Sequence, residues 1–153
     1  METKRYALDL SEEDWITWFK EKGGKSFAAK GVRVWLFKHH VLDPLQFTNL
    51  SLPIREALAN EFHWHLPEID CMLHSIDDSE KMLLKAKDGL FTECVLMTSE
   101  NRVTLCVSCQ VGCRMGCTFC QTGKMGFARN LTSGEILAQL VLGNRRLAER
   151  GLE

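Results

Sequence analysis

The rhythm of apolar and polar positions changes once along this chain, near Ile69. Before that point apolar residues recur three and four apart, the period of helices with one buried face. SEEDWITWFKEKG predicts a first helix, with Ser11 as N-cap and Trp15, Trp18 and Phe19 as its apolar stripe. Acids fill its first turn, where the helix dipole favours them, and Gly23-Gly24 ends it. A second helix is expected near 30–41, offering Val34, Trp35, Phe37 and Val41 to a core. A third starts at Pro53 in LPIREALANEF, with Ile54, Leu58 and Phe62 four apart.

After Ile69 the runs CMLHSI, KMLLKAK, LFTECVLM and RVTLCVS are short and strand-like, parted by DDSE, KDG and TSEN. If Ser99-Glu100 is a two-residue hairpin loop, Thr98 faces Asn101, Val95 faces Thr104 and Glu93 faces Cys106. Opposed side chains on one face lie about 4.5–5.5 Å apart at Cβ. Glu93 is a carboxylate inside an apolar run. It is either a solvated residue on an open sheet face or, beside a thiol, an acid–base group. TSGEILAQLVLGNRRLAERG predicts a closing helix, capped by Thr132 or Ser133, with Glu135 in its first turn. Its expected buried stripe is Ile136, Leu137, Leu140 and Val141.

The order predicts an α+β chain: a helical module over 1–66, antiparallel strands over 67–101, and a strand–loop–helix unit over 102–153. Net charge is −1 over 153 residues, but it is unevenly spread. Residues 20–38 carry six basic side chains against Glu21, a local +5, and residues 61–100 carry nine acids against three lysines, a local −6. A basic helical stretch with aromatics fits an RNA-facing surface, and solvated helix faces fit it equally. Trp15, Trp18 and Trp35 are either core or base-stacking residues by the same token. METKRYALDLSEED is too polar for a signal peptide, and no run approaches a membrane span. A cytoplasmic protein with no membrane partner is expected, and in that compartment clustered cysteines point to metal or redox chemistry.

Five of the seven cysteines fall in CVSCQVGCRMGCTFC. Cys113, Cys117 and Cys120 are spaced C-x3-C-x2-C, with Phe119 before the last. Three soft anionic thiolates suit a four-iron cluster that leaves one iron open to the amino and carboxylate groups of S-adenosylmethionine. A second arrangement joins Cys106-x2-Cys109 to Cys117-x2-Cys120 as a zinc knuckle, the basis of a zinc-stabilised RNA-binding module without catalysis. Only seven residues part those pairs, against about 15–20 in zinc ribbons, and Cys113 is left over. The spacing favours the iron–sulfur arrangement.

The run TLCVSCQVGCRMGCTFCQTGKMGFARNLTSGEI resembles the cluster segment of the RlmN/Cfr group of radical S-adenosylmethionine enzymes. GKSFAAKGVRVWLF and FTNLSLPIREAL resemble earlier segments of the same group, and the chain is closer to RlmN than to Cfr. The resemblance implies a methyltransferase acting on carbon 2 of an adenine in large-subunit ribosomal RNA and in tRNA. It implies a [4Fe–4S] cluster on Cys113, Cys117 and Cys120, S-adenosylmethionine as second cofactor, and a flavodoxin-like reductase as electron donor to a monomer. It assigns Cys106 as the thiol that resolves a covalent protein–RNA intermediate, leaving a disulfide to a methyl-carrying cysteine, and Glu93 as proton acceptor. The implied fold is a partial, TIM-like α/β barrel with a helical extension, its first strand at Arg102–Val107.

Three departures qualify the resemblance. The later barrel strands, a GEP-type cofactor motif and the methyl-carrying cysteine do not occur in this sequence, and neither Cys71 nor Cys94 stands at that cysteine's place. On that ground the chain reads as an N-terminal fragment unable to methylate alone, its last helix short of packing partners. Cys109 stands where the group usually has serine, and Ala28 where a basic residue is common.

Overall fold

The computed structural model describes residues 4–100 and 102–152. They fall into two compact units, one formed by the chain up to His65 with the stretch from Leu147, the other by Leu66–Arg146.

In the first unit Arg5–Tyr6 (β1) leads through a 3-10 turn into Glu12–Glu21 (α1). Ser11 and Asp14 cap α1 reciprocally: the Asp14 amide donates to Ser11 Oγ, and the Ser11 amide donates to Asp14 Oδ2 at 2.9 Å. Ala28–Phe37 (α2) and Leu52–Glu61 (α3) follow, and Phe62–His63 (β2) returns to pair in parallel with β1. The core is built of rings. Trp15 sits 5.0 Å from Phe62 and 5.8 Å from Trp64 by ring centroid, and Phe47 lies 5.5 Å from Trp35. Trp18 is buried as well, its indole N–H donating to Glu61 at 2.8 Å. The α1 stripe is therefore the expected one. The α2 stripe is not: Ala29, Val32 and Leu36 are buried, Val34 is 43% exposed, and Val41 lies past the helix. The helical period chose small Ala29 over the bulkier Val34, which lies off that face.

In the second unit Glu68–His74 (β3), Glu80–Lys85 (β4), Phe91–Ser99 (β5) and Arg102–Cys106 (β6) form an antiparallel sheet in that order. Gln110–Gly112 (β7) and Phe127–Asn130 (β8) form a separate antiparallel ribbon, with the short helix Gln121–Lys124 (α4) between them. Ser133–Glu149 (α5) follows. Met82, Leu84, Cys94 and Leu96 are buried on one face of the sheet, and α5 buries Ala138, Val141 and Leu142. A Cβ at Gly143 of α5 would lie 2.9 Å from the terminal methyls of Leu105, so a larger residue there would require the Leu105 side chain to shift. Thr132 caps α5, its hydroxyl accepting from the Glu135 amide at 3.2 Å.

Two expectations are corrected here. The buried face of α5 is Gly134, Ala138, Gln139, Val141, Leu142 and Gly143, with Leu140 40% exposed. The bulky residues were expected inside, but small residues let the helix approach the sheet. The hairpin also turns one residue later. Ser99 pairs with Arg102, and its hydroxyl donates to the Arg102 carbonyl at 3.1 Å, extending β5. Val95 thus faces Cys106, and Met97, not Val95, faces Thr104. Thr98 pairs with Val103; its expected partner Asn101 lies outside the described residues. Among the described residues β6 pairs only with β5, antiparallel, and the expected barrel strand ends at Cys106 on the edge of an open antiparallel sheet.

Candidate metal and thiol site

Cys113, Cys117 and Cys120 sit on the loop between β7 and β8. The ribbon pairs Gln110 with Asn130 and Val111 with Arg129, and the Cys113 amide closes the loop's neck by donating to the Gly126 carbonyl at 2.8 Å. Gly112 has φ +72° there, and a Cβ on it would strike the Gly126 carbonyl. A side chain at this position would open the neck. Inside the loop, α4 lies so close that a Cβ on Gly123 would come 2.8 Å from the Cys117 amide nitrogen. The Arg114 guanidinium stands 4.5 Å over the Phe127 ring, fixing the loop to β8.

The outer end of the ribbon is anchored by charge. Arg129 of β8 donates to both carboxylate oxygens of Glu135, at 2.8 and 2.7 Å, and to Asp88 at 2.7 Å. This guanidinium holds both carboxyls below the usual carboxylate range.

All seven cysteines are unpaired, and the three loop thiols are half-buried. The backbone N–H groups of Gly123 and Thr122 hold the Cys120 thiol below its usual range, favouring thiolate. Among the described residues no three His, Cys, Asp or Glu side chains gather as a single ion requires, with about 2.3 Å to each sulfur. Three accessible thiols spread around one loop, one biased to thiolate, are a donor set that fits an iron–sulfur cluster, whose irons each take their own ligand. Cys109 is exposed on the strand connection instead, its carbonyl accepting from the Leu131 amide at 2.9 Å. Met115, Phe119 and Met125 are exposed around the loop.

Glu93 and Cys106 occupy the open face of the sheet. They are not directly opposed; with Val95 facing Cys106, Glu93 is its diagonal neighbour, about 7–8 Å away by strand geometry. The Glu93 carboxylate pairs with Lys81 on β4 at 2.9 Å. Cys94, next in sequence, points into the core, where burial pushes its thiol up to about 12. It is inert where Cys106 is accessible.

The residues that hold this arrangement were not singled out by sequence. Gln139 of α5 is only 1% exposed, yet it donates to the Ser108 carbonyl and accepts from the Ser108 amide, both at 2.8 Å. Its signal is visible in hindsight as one long polar side chain among Ala138, Val141 and Leu142. Lys81 and Arg129 carry no such signal: Lys81 pairs across strands with Glu93, and Arg129 reaches Asp88 forty-one residues away.

Known proteins resemble this chain in sequence and in fold. Residues 7–63 match the family described as the ribosomal RNA large subunit methyltransferase N-terminal domain. The fold resembles the crystal structure of a radical SAM methyltransferase from Sphaerobacter thermophilus, with a TM-score of 0.86 and 34% identity over 96% of this chain and 43% of that one. In fold the chain is thus similar to a radical SAM methyltransferase. In sequence it is similar to RlmN enzymes. It is 44% identical to the probable dual-specificity RNA methyltransferase RlmN of Carboxydothermus hydrogenoformans, over 90% of this chain and 41% of that protein. It is 40% identical to the dual-specificity RNA methyltransferase RlmN of Bdellovibrio bacteriovorus, over 94% of this chain and 36% of that protein. The chain thus spans about two fifths of the length of the relatives it matches. No described helix is long and apolar enough to cross a membrane.

Proposed function

We propose that this chain carries the cluster-binding and thiol-bearing part of a radical S-adenosylmethionine methyltransferase that modifies carbon 2 of an adenine in ribosomal RNA and tRNA. The observation that carries the reading is the β7–β8 loop, with three unpaired thiols and a neck that admits only glycine at Gly112. Cys113, Cys117 and Cys120 would hold the cluster. Bound there, a [4Fe–4S] cluster supplies the electron that cleaves S-adenosylmethionine reductively.

The remaining steps assigned to this chain rest on the open sheet face. Glu93 takes up the proton that leaves the adenine carbon, and its contact with Lys81 orients the carboxylate on the open sheet face. Cys106, accessible at the end of β6, is the thiol that displaces the product by attack on a thioether sulfur. In this reading β6 and α5 are the first strand and helix of a larger barrel. Residues 1–66 serve as the RNA-facing module, supported by the exposed Lys20, Lys25, Lys30 and Lys38 and by Phe27, 69% exposed beneath Lys25. A base must leave its stack to reach such a site, at a cost of a few kcal/mol.

Anaerobic reconstitution of the chain with iron and sulfide tests the reading. The expected product is brown and holds about four irons per chain, and Cys109→Ser keeps them. Stoichiometric zinc with no iron would replace the proposal by a zinc-stabilised RNA-binding module.

A further inference from the structure

The connection between β6 and β7 has to solve a backbone problem. Past Cys106 the ladder to β5 stops, yet Ser108 falls opposite Glu93 if the β5–β6 register is continued. Its amide and carbonyl would then be left without strand partners in a half-buried place, which is costly. Both are satisfied by one side chain. Gln139 reaches from α5, accepts from the Ser108 amide and donates to the Ser108 carbonyl, each at 2.8 Å. Its amide thus takes the place of a missing strand. The Ser108 hydroxyl completes the fixation by donating to the Glu93 carbonyl at 2.6 Å.

We infer that Gln139 and Ser108 are positioning residues that set the thiol of Cys106 against the carboxylate of Glu93. The inference rests on the roles proposed above for those two groups. The clamp acts at both ends of the pair: Ser108 is two residues from Cys106, and its hydroxyl grips the backbone of Glu93 itself. With the clamp in place, Cys106 and Glu93 keep their diagonal places on one open face. Without it, the 107–109 segment keeps the hydrogen bond from the Leu131 amide to the Cys109 carbonyl, and β6 is free to fray from Cys106 backwards. An apolar side chain at position 139 would fill the same volume in a helix face already lined by Ala138, Val141 and Leu142. Packing alone therefore does not call for the glutamine; the two hydrogen bonds do.

The test reads electrostatics at Cys106 rather than stability. In the chain without metal, alkylation of Cys106 by anionic iodoacetate and neutral iodoacetamide is followed by peptide mass spectrometry, with exposed Cys71 as internal reference. A carboxylate about 8 Å away disfavours the anion, so Glu93→Gln is expected to raise the iodoacetate-to-iodoacetamide ratio about two- to threefold in the parent chain. In a Gln139→Met background the same replacement is expected to leave the ratio unchanged, because Cys106 no longer keeps its place. Ser108→Ala should weaken the effect and Ser108→Thr, which keeps the hydroxyl, should restore it. That pair decides the question if Gln139→Met does not fold. An undiminished effect in Gln139→Met, or in Ser108→Ala, overturns the clamp while leaving the Glu93–Cys106 pairing intact. No effect in the parent overturns the pairing and the clamp with it.

Discussion

The unit up to His65 and the unit from Leu66 to Arg146 hold themselves together by different means. The first is an aromatic core: Trp15, Trp18, Phe19 and Phe62 are buried and meet edge to face, and buried Phe47 meets Trp64 edge to face and stacks on Trp35. The second buries few rings and relies on polar fastenings between distant parts of the chain. Arg146 grips the buried Glu80, Arg129 grips Glu135 and Asp88, and Gln139 grips Ser108. The difference follows from what each unit has to do. Apolar burial is non-directional and makes a firm body, whereas hydrogen bonds are directional and fix a strand end or a loop in place. The loop of three thiols and the open face with Glu93 and Cys106 both lie in the second unit.

The contrast can be broken first at its aromatic side. Trp15→Ala removes the ring that contacts Phe62 and Trp64, and is expected to destabilise the first unit by about 3–5 kcal/mol in denaturant unfolding followed by tryptophan fluorescence. A loss below 1 kcal/mol would mean that the rings are not the unit's core. At the polar side, Arg146→Met leaves the carboxylate of Glu80, 4% exposed, without its two guanidinium bonds. A loss of about 2–3 kcal/mol is expected, with His74 still 3.4 Å from the carboxylate, and Glu80→Leu combined with it should recover much of that, because a buried charge that has lost its guanidinium costs more than an apolar pair. Equal losses in the single and double variants would show that the fastening is not electrostatic.

The smallest effect sharpens the comparison at the surface. Ser11→Ala removes the cap of α1 and should cost about 1 kcal/mol near neutral pH. The Ser11 hydroxyl, with Arg5, lowers the Asp14 carboxyl from 3.8 to about 2. This stabilisation is fully present above pH 3.8 and is lost as pH falls through about 2. The difference between parent and variant in thermal unfolding should therefore narrow across that window and stay constant above it.

What the sequence made legible follows the same division. The α1 stripe and its cap, the start of α3, the four strands after Ile69 and the Thr132 cap all rest on local periodicity and on side chains a few residues apart. The second unit's fastenings join Arg129 to Asp88 and Gln139 to Ser108, forty-one and thirty-one residues apart, and no local pattern encodes such pairs. Where expectation and structure differ, side-chain size misled: Val34 and Leu140 were expected inside, but Ala29, Ala138 and Gly143 occupy the buried faces. The hairpin expectation failed by one residue, because Ser99 ties itself to Arg102 and lengthens β5. That shift kept Glu93 and Cys106 on one face, since moving the turn by one residue changes the paired sum by two.

The account stands on the division of labour among the cysteines, and a serine series across all seven measures it. After anaerobic reconstitution, iron per chain should fall sharply for Cys113→Ser, Cys117→Ser and Cys120→Ser. It should hold at about four for the variants at Cys71, Cys94, Cys106 and Cys109. Full iron retained in any of the first three, or a cluster lost with Cys106 or Cys109, would contradict it.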